Sequence, residues 1–400
     1  MRCRKATRRY NTKMLNFRYR IKDKDTEQLA ERIVTANCIW NYALMLQRKA
    51  YEWYGKHIPS TKLQSYIAKK RKSNPYWLKL NSQSVQEICQ RLETSYQNFF
   101  DPEHPQKHPP QFKGRYDDGS FVFKQCGYII TNDRITVNDP TNRKVPIGTF
   151  SFLKHRAYPK DKVCTVRLKR YNNHFYVIIC CDCQPKQLAR ACNGTAGIDF
   201  GLKTFITLDD GTEIVSPRFL FKNAKKLRKL SKVVSRRKKG SNRRKKAVKQ
   251  LANFHAKVKQ QRDDWQWKLA HTLCKQFEVI KIEDLCLKGW VAIWGRKASD
   301  LAIGSFIQKL EYIASKYGTK IVKVDRWYAS SHICPDCGHK LERKLGLNER
   351  EWQCPECKAE HKRDVAAAIN IKQWDATVQS ETRRKTEQRS KTTRRKAFAA

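Results

Sequence analysis

Three acidic residues stand in settings that suit metal-assisted chemistry. Asp199 lies in Gly197-Ile198-Asp199-Phe200-Gly201, Glu283 in Ile280-Lys281-Ile282-Glu283-Asp284-Leu285, and Asp364 in His361-Lys362-Arg363-Asp364-Val365-Ala366. Each begins or ends an element that can meet the others at one edge of a sheet. With 84 Lys plus Arg against 37 Asp plus Glu, a net charge of +47, the chain has little reason to bury acids together unless a stronger positive charge sits among them. Carboxylates that hold two cations about 3.5–4 Å apart hydrolyse phosphodiesters, one ion activating water and the other stabilising the leaving oxygen. Magnesium suits this role, because it takes oxygen ligands and keeps exchangeable waters. Glycines on both sides of Asp199 permit close backbone approach to a ligand. A strand-end Asp that caps a turn is the plain alternative for any one acid; three in this element order favour a nuclease with two magnesium ions. Asp284 adjoins Glu283 and can exchange roles with it. Asp325 ends a strand, whereas the third acid is expected on a helix.

A second constellation is Cys334-Pro335-Asp336-Cys337 with Cys354-Pro355-Glu356-Cys357, a C-x2-C-x16-C-x2-C pattern. Each tight turn offers two thiolates, and two such turns close a tetrahedral zinc site. Four sulfurs fill the ion's coordination, so this zinc is structural and leaves no open position for chemistry. His332, His339 and His361 are then expected at the surface or beside the ligands. Cys180, Cys181 and Cys183, which continue the strand-like run from Phe175, read as ordinary core thiols.

The third feature is charge. Residues 221–262 carry 18 Lys or Arg and no acid. Without acids, i,i+4 ion pairs cannot stabilise helices there, whereas phosphates can. So large an excess of positive charge repels itself unless a polyanion neutralises it, and a nucleic acid is the expected partner. There is no run of about 18 apolar residues and no apolar signal-peptide core after the basic start, so the chain is expected in the cytoplasm, where metal-bound thiolates outlast disulfides.

The elements that must position these groups follow from periodicity. Residues 15–21 alternate as a half-buried strand, and three helical stretches follow at about 25–54, 61–70 and 81–100. The Pro- and His-rich segment after them ends the third. Most of the aromatics in these helices, Trp40, Tyr42, Tyr51, Trp53, Tyr54, Tyr76 and Trp77, are expected in the core. Gln83 and Gln86, at i,i+3 beside Ser82 and Ser84, suit a solvated helix start; Gln also pairs with adenine in a major groove. From 120 to 183 the pattern is β, with a hairpin turn at Tyr171-Asn172-Asn173-His174. Strands are then expected at 195–199, 204–208, 213–215, 279–283 and 320–324, with a basic helical region over 217–277 and helices over 300–317 and 364–374. This βββαβαβα order is that of the RNase H-like fold. The expected architecture is α/β and multidomain. A strand region (1–24), a helical lobe (25–110) and a β domain (111–190) form a barrel-like unit carrying the lobe. An RNase H-like mixed sheet domain (191–330), a cysteine-rich zinc insert (331–360), the final helix (361–374) and a charged, disordered tail (375–400) complete it.

The run from Gly197-Ile198-Asp199 through Ile282-Glu283-Asp284-Leu285, Ser331-His332-Ile333-Cys334-Pro335-Asp336-Cys337-Gly338 and Arg363-Asp364-Val365-Ala366-Ala367-Ala368-Ile369-Asn370 resembles the transposon-encoded TnpB family, which is related to the type V CRISPR effectors. Pro110-Gln111-Phe112-Lys113 and Ser120-Phe121 extend the resemblance into the N-terminal half. The resemblance implies an RNA-guided DNA endonuclease: a guide RNA from the transposon end pairs with one strand of double-stranded target DNA, while the protein reads a short adjacent motif. It also implies a wedge domain over 1–24 and 111–190, a recognition lobe over 25–110, and a RuvC-like domain over 191–330 and 361–374 with 331–360 as its inserted zinc ribbon. The one RuvC-like site then cuts both strands. By position, Asp199, Glu283 and Asp364 are the implied magnesium ligands, and Cys334, Cys337, Cys354 and Cys357 the implied zinc ribbon, in a protein expected to act as a monomer. Gln83 and Gln86 fall where the motif-reading helix is implied. Lys362 departs from the family, which often carries Asp there. Three other readings compete: a small CRISPR effector, an unguided transposase or resolvase, and a guided DNA-binding repressor that does not cut. The last is expected to lose at least one acid, and all three are present.

Overall fold

The computed structural model describes residues 14–375, apart from 24–25, 103–106, 115–116, 125, 141–144, 173, 184–185, 344 and 347–348. The basic start and the expected tail beyond 375 lie outside the described residues. The chain divides into two compact units, Met1–Pro185 and Lys186–Ala400.

In the first unit, strand β1 (Leu15–Arg20) is followed by helices α1 (Glu27–Tyr54), α2 (Ser60–Lys72), α3 (Pro75–Leu78) and α4 (Ser82–Phe100). Strands β2 (Ser120–Phe123), β3 (Tyr128–Thr131), β4 (Arg134–Asn138), β5 (Pro146–Ser151), β6 (Val163–Tyr171) and β7 (His174–Cys181) complete it. The N-terminal strand returns to the later ones: β1 pairs antiparallel with β7 in a sheet ordered β1-β7-β6-β2, and β3-β4-β5 forms a second antiparallel sheet. Ile21 bridges to Phe152, and the Leu153 amide donates to the Arg20 carbonyl at 2.8 Å, so the end of β1 joins the second sheet. Tyr19, Phe121, Ile135, Phe150 and Ile179 from both sheets share one core with Leu29, Ile33 and Ile88 of the helices. Asn81 caps α4 by accepting from the Ser84 amide at 2.6 Å, and the αL residue Gly55 (φ +61°) ends α1. Trp40 and Trp77 are buried as expected, but Tyr51, Trp53 and Tyr54 are 64–71% exposed, because α1 runs past the core before it ends.

The second unit is built on a five-stranded sheet ordered β10-β9-β8-β11-β12, with β8 (Gly194–Asp199), β9 (Ile206–Leu208), β10 (Glu213–Ile214), β11 (Phe277–Glu283) and β12 (Lys320–Val324). Strands β8, β11 and β12 are parallel, and β9 and β10 antiparallel. The basic region is divided: α5 (Phe219–Lys222), α6 (Ala224–Arg236) and α7 (Asn242–Gln276), with Gly240 (φ +85°) and the Ser241 cap turning the chain between the last two. A helix not expected from the sequence, α8 (Leu287–Trp294), follows β11. The helix expected over 300–317 is two, α9 (Arg296–Leu301) and α10 (Ile303–Tyr317), broken where Ala302 adopts φ +49°. After β12, a small hairpin of β13 (Glu351–Gln353) and β14 (Glu360–Lys362) leads directly into α11 (Arg363–Gln373). Among the described residues no helix is long and apolar enough to cross a membrane.

Candidate active site and metal centre

Register places the first two acids. Ile198 of β8 pairs with Ile282 of β11, so Asp199 and Glu283, the next residues, end adjacent parallel strands at one edge. Ile198 and Ile282 point into the core, and strand alternation turns both acids to the other face. Helix α11 lies on that face. A side chain at Gly197 would strike it: an added Cβ would sit 2.0 Å from the Ala368 carbonyl oxygen and 2.6 Å from the Lys372 nitrogen. The close approach allowed by Gly197 is therefore to a helix rather than to a ligand, and Gly201 likewise accommodates the Thr204 carbonyl. Asp209 fixes the docking by accepting from the Gly197 amide (2.9 Å) and from Lys372 Nζ (2.6 Å). Asp364, in the first turn of α11, thereby reaches the strand ends.

Asp199, Glu283 and Asp364 line one cavity of about 250 Å³ with Trp290, Trp294, Arg350 and Arg363. Burial pushes the Asp199 carboxyl well above the usual carboxylate range, and the charges of Glu283 and Asp364 push the same way; Arg363 and the Phe200 amide oppose them. Glu283 is also raised, by burial and then by Asp284. Asp284 instead pairs with Arg326 at 2.7 Å and does not line the cavity. Asp325 accepts from the Trp327 amide at 2.8 Å and supports the turn after β12.

Sequence reasoning overlooked Arg350. Its Nη1 sits 2.8 and 3.1 Å from the two oxygens of Asp364. The hairpin explains the placement, since Glu351 pairs with Lys362 and the Arg363 amide donates to the Arg350 carbonyl. The position just before β13 was the available signal, but it becomes informative only once the hairpin register is known. Asn370, named above only within the run that resembles the family, is 1% exposed; it donates to the Ser330 and Ile333 carbonyls at 2.7 Å and ties the cysteine-rich segment to α11.

Cys334, Cys337, Cys354 and Cys357 bring their Sγ atoms within 4.8 Å of one another, the one such group of His, Cys, Asp or Glu among the described residues. The carboxylates are not gathered so tightly. The Sγ separations of 3.6 Å for Cys334–Cys357 and for Cys337–Cys354 approach the ~3.8 Å edge of a tetrahedron with Zn–S of about 2.3 Å. The two turns are alike: the Gly338 and Lys358 amides donate to the Cys334 and Cys354 carbonyls, and both residues have positive φ. The quartet can therefore hold a metal ion. His361, expected at the surface or beside the ligands, is 9% exposed, with Nε2 3.2 Å from Cys334 Sγ.

The α6–α7 hairpin presents its charge outward. Of the 18 cations in residues 221–262, all but Arg244 and Arg262 are exposed, while Leu227, Ala247 and Val258 are buried.

Two family models match. "Probable transposase" covers residues 178–293, which include Asp199 and Glu283; "Cas12f1-like, TNB domain" covers 304–371, which include the cysteines and Asp364. A protein of Streptomyces pristinaespiralis named "Putative RNA-guided DNA endonuclease" is 30% identical, over 89% of this chain and 88% of its own. The chain belongs to the TnpB family. TnpB relatives extend to InsQ of Escherichia coli K12, which is given the same description and is 24% identical over 89% of this chain and 90% of its own. The fold of this TnpB chain is similar to a solved Cas12f1-sgRNA-target DNA complex, with a TM-score of 0.59 at 14% identity, over 88% of this chain and 83% of that one.

Proposed function

We propose that this TnpB-family chain is an RNA-guided, metal-dependent DNA endonuclease whose single RuvC-like site cuts both strands of a target lying beside a short motif. The observation that carries the reading is the convergence of Asp199, Glu283 and Asp364 on one cavity, in a chain whose relatives are named as guided endonucleases. A carboxyl that burial and two neighbouring carboxylates hold above the usual range, in a strongly basic protein, suits a site built for cations, and oxygen donors suit magnesium. Asp199, Glu283 and Asp364 would hold two magnesium ions, which supply an activated water and a stabilised leaving oxygen. Arg363 holds positive charge beside the phosphate's position. The cysteine quartet holds zinc and keeps the β13–β14 hairpin, and so Arg350, in register with α11. A sheet order of 3-2-1-4-5 with acids on the first strand, the fourth strand and the last helix supports the RNase H-like assignment. The exposed cations of α6 and α7 contact the phosphates of guide or target, and Gln83 and Gln86 belong to the motif-reading helix. Gln83 also accepts from the Lys124 amide at 2.7 Å, which fixes its side chain.

The test is to express the protein with its flanking transposon-end DNA and sequence the RNA that co-purifies. A discrete RNA ending in sequence outside the transposon is expected. Absence of RNA, or heterogeneous cellular RNA alone, favours an unguided DNA-processing nuclease.

A further inference from the structure

Helix α8 is unusual in what it leaves uncovered. Its eight residues, Leu287–Trp294, are almost all apolar, yet none is buried, and Val291 and Ile293 are 46% and 72% exposed. Trp290 and Trp294 lie at i,i+4, so they share one face of the helix. Their rings meet edge-on, with centroids 5.0 Å apart and planes at 72°. Trp290 packs against the core of this unit, but Trp294 is not part of that packing. Both rings line the cavity that holds the three carboxylates and the two arginines.

A ring that is braced on one edge, partly open to solvent and beside a phosphodiester site has one natural occupant. Every nucleobase presents a π face, and stacking on an aromatic side chain is tolerant of sequence. The charge fits too: α8 carries Lys288 and no acid, Arg296 and Lys297 follow it, and Arg350 and Arg363 line the same cavity. A base still paired in a duplex keeps its faces against its neighbours and offers none to a side chain. We infer that Trp294, braced by Trp290, stacks on an unpaired base next to the scissile phosphate. The inference rests on the nuclease reading above. Trp294 is a positioning residue, since it holds the strand while the carboxylates and arginines meet the phosphate.

The test pairs protein and substrate changes. Wild type, Trp294→Ala and Trp294→Phe, each loaded with guide RNA, are given a single-stranded DNA that matches the guide over one part and continues unpaired beyond it. The DNA carries one abasic nucleotide, moved position by position across the cut. Stacking is worth a loss of about 5- to 150-fold on alanine substitution. One abasic position is expected to slow wild type by that order, Trp294→Ala to be equally slow on intact DNA, and the two changes together to cost no more than either alone. Trp294→Phe is expected to recover most of the rate. Losses that multiply at every position, or Trp294→Ala cleaving like wild type, overturn the stacking assignment. If Asp199→Ala cleaves intact DNA as fast as wild type, or wild type does not cleave, the nuclease reading falls and the stacking proposal with it. Equal melting temperatures for the three proteins keep misfolding out of the comparison.

Discussion

Substituting alanine for Gly197 tests how the sheet positions the helix that carries Asp364. The added methyl would lie 2.0 Å from the Ala368 carbonyl oxygen, 2.6 Å from the Lys372 nitrogen and 2.9 Å from Lys372 Cβ, whereas ordinary contact begins at 3.4 Å. Those atoms belong to the helix backbone and the root of a side chain, so no rotamer change relieves the overlap. Helix α11 must retreat by roughly 1 Å, an overpacking that costs about 1–3 kcal/mol. For a unit of about 200 residues that lowers the melting temperature by roughly 2–12 °C. Asp364 moves with the helix, and a displacement of about 1 Å in a reacting group costs on the order of 100-fold in rate. The assay is single-turnover cleavage of guide-matched DNA, with thermal melting and guide-RNA binding measured on the same preparations. RNA binding should hold while cleavage and melting temperature fall. A Gly197→Ala protein that melts and cleaves like wild type would refute the close docking of α11 on β8.

Three further outcomes follow from the same geometry. Asp199 and Glu283 have folded pKa values raised above the ~4 of an unfolded carboxylate, so without metal the folded state holds protons that the unfolded chain has released, and stability declines as pH rises through that window. In chelator the melting temperature should therefore fall from about pH 4 upward, and Asp199→Asn should flatten that fall; an identical slope in the variant contradicts the burial argument. Arg350 competes with metal for Asp364, so Arg350→Ala should bind magnesium more tightly by calorimetry at a stability cost under about 1 kcal/mol, because the pair is partly exposed; unchanged affinity would show that the ion pair does not oppose the metal. Cys354→Ser should lose zinc and solubility first, since the segment gathers only a small core of its own, Leu345 and Trp352 among it; normal zinc content and folding would exclude the metal centre.

Much of the candidate site was legible because its signals are local. The glycine-flanked Asp199 and the acid closing the apolar run 280–282 sit at strand ends, and Asp364 opens a helix, as periodicity indicates. Glu283 was favoured over Asp284 only modestly, because alternation alone leaves the phase of a strand end open until the partner strand is known; in the structure Ile198 pairs with Ile282, and Glu283 rather than Asp284 lines the cavity. Arg350 was hidden for a similar reason: it joins Asp364 through a hairpin whose strands are three residues each, too short for any period. Helix α8 was hidden because an apolar run of that length does not separate helix from strand. The break at Ala302 carries neither glycine nor proline and comes from the junction of α9 with α10. The exposed Tyr51, Trp53 and Tyr54 mark where helical periodicity continues past the core that gives it meaning.

The most direct measurement is cleavage of double-stranded DNA by the protein loaded with its own guide, then with a guide of altered targeting sequence, each beside Asp199→Ala. Cleavage that moves with the guide, needs magnesium and disappears in Asp199→Ala, while guide RNA stays bound, is the predicted result. Cleavage at the same place whichever guide is loaded, or undiminished in Asp199→Ala, would contradict a guided nuclease built on these three carboxylates.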